Sequence, residues 1–179
     1  MAKKKNIKDT FKPSVILRPS VCFGPDDTFL NRFASIAQFS PVLPLIGGGK
    51  QKFSPIYVGD VAKAIVKSLE LDNSEPKIYE LGGPENYSFK ELMKILLDEI
   101  KKKRFLMPIP FAAAKFQAFF LQMIPNPLLT VDQVKLLQYN NIVSGDYPVL
   151  KDLGITGTPI QSVLPIYIRR FRAGGEFNR

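Results

Sequence analysis

The 179-residue sequence contains no histidine and only one cysteine, Cys22. Without histidine, the chain cannot form a Ser-His-Asp or Cys-His nucleophile system, and it lacks the commonest zinc ligand. A single cysteine excludes an internal disulfide and fits a reducing compartment. Because Cys22 has no partner base, we expect it to be a small buried residue. The composition therefore disfavours hydrolase chemistry, and we predict no metal site.

Long apolar segments are also missing. No window approaches the ~20 consecutive apolar residues that a membrane-spanning helix needs. The basic start, residues 1–6, is not followed by the apolar region of a signal peptide. From these absences we expect a soluble, intracellular protein. In a bacterium it would be cytoplasmic, with at most peripheral association with the inner membrane.

Acidic residues are outnumbered by basic ones. The chain has 25 Lys and Arg against 16 Asp and Glu, a formal net charge of +9, and basic residues are concentrated at both ends. Basic ends can bind nucleic acid, anionic lipid or an acidic partner subunit. No zinc-finger spacing and no RNP-type aromatic run accompanies them, so we predict no nucleic-acid partner. Solvated ends are the simpler interpretation.

The rest of the chain is organised around residues 15–27. The stretch begins with an apolar, β-branched run that is typical of a strand buried on both faces. Pro19 lacks an N–H, so we expect pairing to end there. Gly24-Pro25 is typical of a turn, and Asp27 or Thr28 can then begin a helix. Because open parallel sheets bind ligands beyond the carboxyl ends of their strands, this loop is predicted to line a pocket. The same residues also fit an ordinary strand-to-helix turn.

Strands and helices are predicted to alternate over the remaining sequence. Strands are expected at residues 41–46, 53–58, 77–81 and 104–109, and helices at 28–39, 61–71, 89–101, 110–125, 131–139, 148–153 and 159–171. Asp60 is expected to be an N-cap, Ser88 and Thr130 open capping boxes, and Gly154 ends the short helix before it. The order predicts an α/β fold with a mostly helical C-terminal lobe.

Two segments have alternative interpretations. Gly47-Gly48-Gly49-Lys50 could be mistaken for a phosphate-binding loop, but Gln51 follows the lysine and a strand follows that, so we predict a hairpin-type connection. Residues 110–125 are apolar around most of a helix circumference. Such a helix is either buried in the core, which we expect here, or meets a partner or a membrane surface.

Several short motifs are specific as an ordered set. These are Arg18-Pro19-Ser20 with Phe23-Gly24-Pro25-Asp26, then residues 56–62, then residues 79–85 before the capped helix. They resemble the C-terminal half of extended short-chain dehydrogenase/reductases, the NAD-dependent epimerase/dehydratase family. Residues 108–111, 129–134, 152–155 and 170–175 are similar to one subgroup, the NAD(P)-binding Rossmann-like accessory subunit of respiratory complex I (NADH-ubiquinone oxidoreductase) and its bacterial relatives. The resemblance covers residues 14–175.

The resemblance implies a Rossmann-like fold whose nucleotide-binding features are not found in this sequence. No Gly-x-x-Gly-x-x-Gly turn is present to receive a pyrophosphate at a helix N-terminus. The family's Tyr-x-x-x-Lys acid–base pair should lie on a helix, yet Tyr147 to Lys151 is the one such spacing and Pro148 disfavours a helical tyrosine. We therefore predict no catalytic residue. NAD(P)(H) is the cofactor that the family implies, and we expect that this chain does not bind it alone.

The resemblance also implies a domain division and site residues. Residues 1–13 would be the basic tail of a helix from the nucleotide-binding half, residues 14–101 a Rossmann-type α/β segment with a strand pair, and residues 102–179 a helical lobe. Pro19, Ser20 and Val21 would contact the nicotinamide end of the cofactor, and Phe23, Lys52 and Tyr57 would line the substrate side. Ordinary turn or core packing is the alternative for each of these residues.

Three functions follow as hypotheses. The first is a truncated accessory-subunit-like protein that associates with complex I subunits and has no catalysis of its own. The second is the substrate-binding half of a nucleoside-diphosphate-sugar epimerase, dehydratase or reductase, completed in trans by an N-terminal nucleotide-binding fragment. The third is a module that docks on a membrane complex through residues 110–125 and the basic C-terminus.

Overall fold

The computed structural model of the chain describes residues 14–71, 77–123, 129–172 and 174. The predicted segment 1–13 lies outside the described residues. The strands are β1 Val15–Pro19, β2 Cys22–Phe23, β3 Val42–Ile46, β4 Lys52–Phe53, β5 Ile56–Tyr57, β6 Lys77–Leu81, β7 Tyr87–Ser88 and β8 Phe105–Ile109. The α-helices are α1 Leu30–Phe39, α2 Val58–Leu69, α3 Phe89–Glu99, α4 Phe111–Leu121, α5 Val131–Leu136 and α6 Ile160–Ile168. Short 3₁₀ turns occupy Gly47–Gly49, Leu150–Leu153 and Arg169–Phe171. The predicted α/β class is confirmed.

The strands pair two by two. Strands β1 and β6, β2 and β5, and β3 and β8 are parallel pairs, and β4 and β7 are antiparallel. The hairpin predicted around Gly47–Gly49 is therefore wrong, because β3 and β4 pair with different strands. All three glycines have positive φ, between 63° and 72°, which lets the turn lead the chain away from β3. The single strand predicted at residues 53–58 is instead two short strands.

Strand β1 differs from the expectation in two ways. It continues through Pro19, which pairs with Leu81, and its residues 15–18 are half-buried rather than buried on both faces. Lys77 N donates to Ser14 O and Ser20 N donates to Leu81 O, so the even-numbered residues of β1 face β6. The missing N–H of Pro19 therefore points to the other edge of the strand and costs no hydrogen bond with β6.

Within the residues that the structure describes, buried apolar side chains form three clusters. The largest joins α1, β3, α3 and α6, and its residues come from both sides of the predicted boundary between residues 101 and 102. The second lies between α2, β6 and the 3₁₀ turn at Leu150–Leu153. The third is small and holds α4 and α5 together through Ile46, Ala114, Ala118 and Val134. The division at residues 101 and 102 stays a prediction.

Helix ends follow the local signals with one exception. Ser88 and Thr130 both form the predicted capping boxes, and Gly154 ends the short turn in a left-handed conformation. Asp60 is not an N-cap, because α2 begins earlier, at Val58, and Asp60 lies in its first turn with no exposed surface.

The expectation that the helix of residues 110–125 is buried is wrong for most of its large side chains. Phe116, Phe119 and Phe120 are 70%, 56% and 52% exposed, whereas Ala114 and Ala118 are fully buried. The core therefore receives the small residues of α4, and the aromatic residues face outward. Within the described ranges, no helix combines the length and the apolar character needed to cross a membrane.

Candidate functional site

The residues predicted to contact a cofactor lie in a well-anchored loop at the carboxyl end of β1. Ile56 N donates to Val21 O at 3.0 Å, which joins the loop to β5. The Ser20 hydroxyl donates to Asn141 O at 2.6 Å and accepts from Ser54 N at 3.2 Å. These bonds fix the loop, and they also occupy the Ser20 hydroxyl with protein partners.

A small polar cavity of about 150 Å³ opens beside this loop. Pro19 and Ser20 line it, together with Arg18, Glu80 and the segment 141–143. The Arg18 guanidinium lies 3.8 Å from the Glu80 carboxylate and 4.8 Å from the centre of the Tyr147 ring. Arg18 Nε is buried and has no hydrogen-bond partner within the described part of the chain. The cavity is therefore lined by a cationic side chain whose Nε lies buried behind its surface.

A larger cavity of about 470 Å³ lies on the other side of the loop. Val21, Phe23, the turn of residues 24–28 and Val58 line it. The Phe23 and Tyr57 rings face each other across the β2–β5 pair, with their centroids 5.8 Å apart. Lys52 is not among the lining residues; it is exposed on β4, opposite Ser88. Of the three predicted substrate-side residues, Phe23 lines this cavity and Tyr57 packs against Phe23, whereas Lys52 does neither.

Asp27, which lines this cavity, accepts a hydrogen bond that the sequence did not predict. The Tyr167 hydroxyl on α6 donates to Asp27 Oδ2 at 2.7 Å, and Asp27 Oδ1 accepts from Leu30 N at 2.5 Å. Burial, together with the negative charge of Asp27, raises the pKa of Tyr167, which keeps the phenol a neutral donor. Asp27 could be predicted as a local cap, but nothing in the sequence points to a partner 140 positions away.

We expect Tyr167→Phe to lower the free energy of unfolding by about 2 kcal/mol, because it leaves one oxygen of a partly buried carboxylate without its donor. Urea unfolding at pH 7 measures the change. Tyr139→Phe is the matched control, since that ring is 71% exposed, and it should change the stability by less than about 0.5 kcal/mol. Equal stability of Tyr167→Phe and the wild type would show that the bond contributes nothing.

The sequence singled out two residues for nucleophilic or acid–base chemistry, Cys22 and Tyr147. Burial raises the pKa of the Cys22 thiol, so it stays protonated at neutral pH, and Cys22 is half-buried rather than fully buried as expected. Tyr147 lies outside any helix, as Pro148 predicted, with its ring against Arg18. No group of three or more Cys, Asp or Glu side chains within the described ranges is placed to hold a metal ion.

The polar cavity beside residues 19–21 is too small for a whole dinucleotide. The polar cavity beside residues 19–21, about 150 Å³, is smaller than the ~300–1,000 Å³ of ordinary small-molecule sites. The glycine turn at Gly47–Gly49 offers no phosphate cradle, because a Cβ on Gly47 would lie 2.2 Å from the Phe111 ring. Arg18, Pro19 and Ser20 therefore line one side of the small polar cavity.

Comparison with protein families adds the decisive observation. Residues 5–82 match the model of the NAD dependent epimerase/dehydratase family. This chain contains an epimerase/dehydratase family domain. The matched range includes the loop of residues 19–21 and the β2–β5 pair that faces the larger cavity.

Beyond the epimerase/dehydratase domain, the similarity extends along nearly the whole chain. It is 33% identical, over 97% of its length, to the mitochondrial NADH dehydrogenase (ubiquinone) 1 alpha subcomplex subunit 9 of Arabidopsis thaliana, and 30% identical, over 94%, to that of Mus musculus. The chain covers 46% and 45% of these two proteins, so it spans about half the length of the curated relatives it matches. Both relatives are named as mitochondrial; a cytoplasmic location for this chain stays a prediction.

Solved structures show the same fold for the epimerase/dehydratase domain and the lobe that follows it. The dTDP-glucose 4,6-dehydratase DesIV from Streptomyces venezuelae, solved with NAD and TYD bound, superposes with a TM-score of 0.59 over 92% of this chain and 46% of that one. The two sequences are 17% identical, so the similarity concerns the fold alone. The predicted Rossmann-like architecture is confirmed.

Proposed function

We propose that this chain is the distal part of a complex I accessory subunit, where it closes one side of an NAD(P)(H) site and catalyses no reaction of its own. Three observations support the proposal. The similarity to alpha subcomplex subunit 9 proteins covers almost the whole chain. The loop of residues 19–21 forms one wall of a site rather than a complete one. The single Tyr-x-x-x-Lys spacing lies off any helix.

The observation that carries the proposal is the unsatisfied edge of β1. Within the described ranges β1 pairs only with β6, so its other edge presents free backbone groups. Parallel sheets occur almost only with helices over both faces, and two strands alone are marginal in water. The half-buried residues of β1 fit a sheet that continues in further strands.

Helix α2 supports the same conclusion from a second direction. Its buried residues are Asp60, Ala64 and Ser68, two of which are polar. Its apolar residues Ile65 and Leu69 are 49% and 78% exposed on the opposite side. We define Ile65, Val66 and Leu69 as the α2 face. An apolar helix face of this kind is normally covered by another element.

In the proposed arrangement, a nucleotide-binding half supplies strands next to β1 and covers the α2 face. Residues 19–21 then contact the nicotinamide end, and Phe23 and Tyr57 lie toward the substrate side, whereas Lys52 lies apart from them on β4. The NAD(P)(H) itself supplies hydride chemistry when bound, and this chain contributes position and exclusion of water. The half can be part of the same polypeptide or a separate N-terminal fragment that binds in trans.

Nucleotide binding tests the proposal. The chain alone should show no micromolar NADPH or NADH binding in a fluorescence titration, because it holds one wall of the site. Co-expression with the part of the Arabidopsis relative that this chain does not match should give a complex that binds the nucleotide. Ile65→Lys with Leu69→Lys should abolish both co-purification and binding.

Leu136→Lys is the matched control, because Leu136 is 72% exposed on α5 and lies outside the α2 face. It should leave the complex intact. Micromolar binding by the chain alone would contradict the proposal. So would a complex that forms equally well with the α2 face charged.

A second candidate function is favoured by the size of the larger cavity. At about 470 Å³ it lies within the range of small-molecule sites and next to the cofactor-facing loop. This suits a nucleoside-diphosphate-sugar epimerase, dehydratase or reductase, whose acid–base pair would come from the nucleotide-binding half. NAD-dependent turnover of UDP-glucose by the reconstituted complex, absent from the complex without its nucleotide-binding half, would favour this candidate.

A further inference from the structure

Helix α4 presents its large apolar residues to the outside. Four side chains are exposed, Phe116, Phe119, Phe120 and Met123, by 70%, 56%, 52% and 76%. At 3.6 residues per turn, the three phenylalanines fall on the side of the helix opposite the buried Ala114 and Ala118, and Met123 lies in the turn that follows the helix. We call these four residues the aromatic face. In a helix that packs against a core, the large apolar side chains are normally buried; in α4 they are exposed and the small alanines are buried.

The aromatic face is a continuous surface and not a set of isolated residues. The Phe116 and Phe120 rings meet edge to face with centroids 5.0 Å apart, and Phe119 meets Phe120 in the same way at 5.5 Å. Contiguous exposed apolar side chains of this size mark interaction surfaces. The small cluster of Ile46, Ala114, Ala118 and Val134 fixes the helix to the rest of the chain.

The charge of the surrounding segment indicates what the aromatic face meets. Residues 100–131 contain five cationic residues, Lys101, Lys102, Lys103, Arg104 and Lys115, and no Asp or Glu. Lys101 and Lys103 are exposed. Lys115 lies within α4 itself, beside the aromatic face. Lys102 Nζ donates to Gln38 Oε1 and Arg104 Nε donates to Ala37 O, so we assign the lipid contact to Lys101, Lys103 and Lys115. Exposed aromatic side chains in a segment that carries cations and no acidic residue complement an anionic lipid surface.

We propose that the aromatic face of α4 is a docking site for an anionic lipid surface, on which α4 lies in the plane of the headgroups. The helix has 11 residues and cannot span a bilayer, so binding is peripheral. The phenylalanine rings enter the boundary between headgroups and acyl chains, and the exposed lysines contact the phosphates. This inference is independent of the proposed nucleotide site, because it rests on residues 100–131 alone.

A tryptophan reporter provides the most direct test, since the chain has no tryptophan of its own. Phe120→Trp should show a blue-shifted emission on vesicles of phosphatidylcholine with phosphatidylglycerol, and quenching when the lipids are brominated. Phe39→Trp is the matched control, because Phe39 is 87% exposed at the end of α1. It should show neither effect. No shift for Phe120→Trp, or an equal shift for Phe39→Trp, would overturn the proposal.

Flotation with the same vesicles measures the affinity of the full chain and its variants. Phe116→Gln, Phe119→Gln and Phe120→Gln together should weaken binding by at least about tenfold, whereas Phe39→Gln should not. Lys101→Gln with Lys103→Gln should weaken it by about 30-fold, from about 1 kcal/mol per lysine near an anionic surface. Lys94→Gln with Lys151→Gln is the control for loss of two exposed charges. An unchanged thermal midpoint shows that each variant is folded.

Two further outcomes decide against a lipid surface. Equal binding to vesicles of pure phosphatidylcholine would show that the anionic headgroup plays no part. Sedimentation equilibrium distinguishes a protein partner: if the triple glutamine variant turns a dimer into a monomer and neither form floats, the aromatic face joins two copies of the chain. Neither measurement depends on NAD(P)H, so failure here leaves the proposed nucleotide site untouched.

Discussion

Alanine at position 83 is expected to lower the free energy of unfolding by about 3 kcal/mol or more, a large part of the ~5–15 kcal/mol of a typical domain. A Cβ on Gly83 would lie 1.9 Å from the carbonyl oxygen of Pro55. The segments around Gly83 and Pro55 cannot easily separate, because Gly83 N donates to Ser54 O at 3.2 Å and β5 begins directly after Pro55, at Ile56. Far-UV circular dichroism and urea unfolding measure the loss.

Gly48→Ala is the control for this substitution. Gly48 has a φ of +72°, but no atom lies within 4 Å of the position that an alanine methyl group would take there. Alanine at this position should cost only the ~1–2 kcal/mol of a left-handed conformation. Equal unfolding midpoints for the two variants would show that the approach of Gly83 to Pro55 is not limiting.

Removal of the Asp60 carboxylate is expected to have the second largest effect. Asp60 has no exposed surface; its Oδ2 accepts from Thr158 N at 2.7 Å, and its Oδ1 accepts from Lys63 Nζ at 2.9 Å. These bonds join the first turn of α2 to the segment that leads into α6. Asp60→Ala leaves the Thr158 N–H without its acceptor and should cost about 3 kcal/mol at pH 7. Asp60→Asn keeps an acceptor for Thr158 and should cost less.

The effect of Asp60 should depend on pH in one direction. Burial alone would raise the pKa of this carboxyl, but the hydrogen bonds from Lys63 and Thr158 outweigh it and lower the pKa. The folded state therefore binds fewer protons than the unfolded state, whose aspartates titrate near ~3.9. The stability that Asp60 contributes is present above that pH and is lost as the pH falls through the folded pKa.

The measurement is the difference in unfolding free energy between wild type and Asp60→Ala across the pH range. It should be constant from about pH 5 to pH 8 and shrink below about pH 4. Glu91 also makes both proteins less stable at low pH, because its hydrogen bonds with Ser88 lower its pKa. Taking the difference between the two proteins removes this shared contribution. A difference that grows toward low pH would contradict the role given to Asp60.

Features set by neighbouring residues could be predicted from the sequence. The capping boxes of Ser88 and Thr130 need only a partner three positions later, and both form. Gly154 likewise ends its turn without help from the rest of the fold. Strand β6 has the bounds that the sequence predicts. The turn residues Gly82-Gly83-Pro84 directly after it mark where it ends.

Features set by distant partners could not be predicted. Strand β3 pairs with β8 rather than β4, and no local signal in the glycine turn distinguishes the two. Helix α4 is apolar around most of its circumference, so its sequence has no periodicity that indicates which face is buried. The structure shows that close packing selects the alanines, which leaves the phenylalanines outside.

The candidate site could be predicted only in part. Pro19 and Ser20 line the polar cavity, since a loop at the carboxyl end of a parallel strand lies there by topology. Lys52 lies elsewhere, because side chains alternate along β4 and its neighbour Phe53 takes the buried position. Tyr167 could not be predicted, because the helix that carries it is placed by the core. The roles assigned to residues 19–21 stay a prediction.

The pairing of the strands has a consequence for synthesis on the ribosome. In the described ranges no strand pairs with its immediate neighbour in the chain: Val15 lies opposite Lys77, and Val42 opposite Phe105. At ~5–20 residues per second, β1 waits about 3–12 seconds for β6 to be made. Such long-range pairing also makes folding slow after release. The nascent chain therefore exposes its apolar strands during that interval, when chaperones have time to bind it.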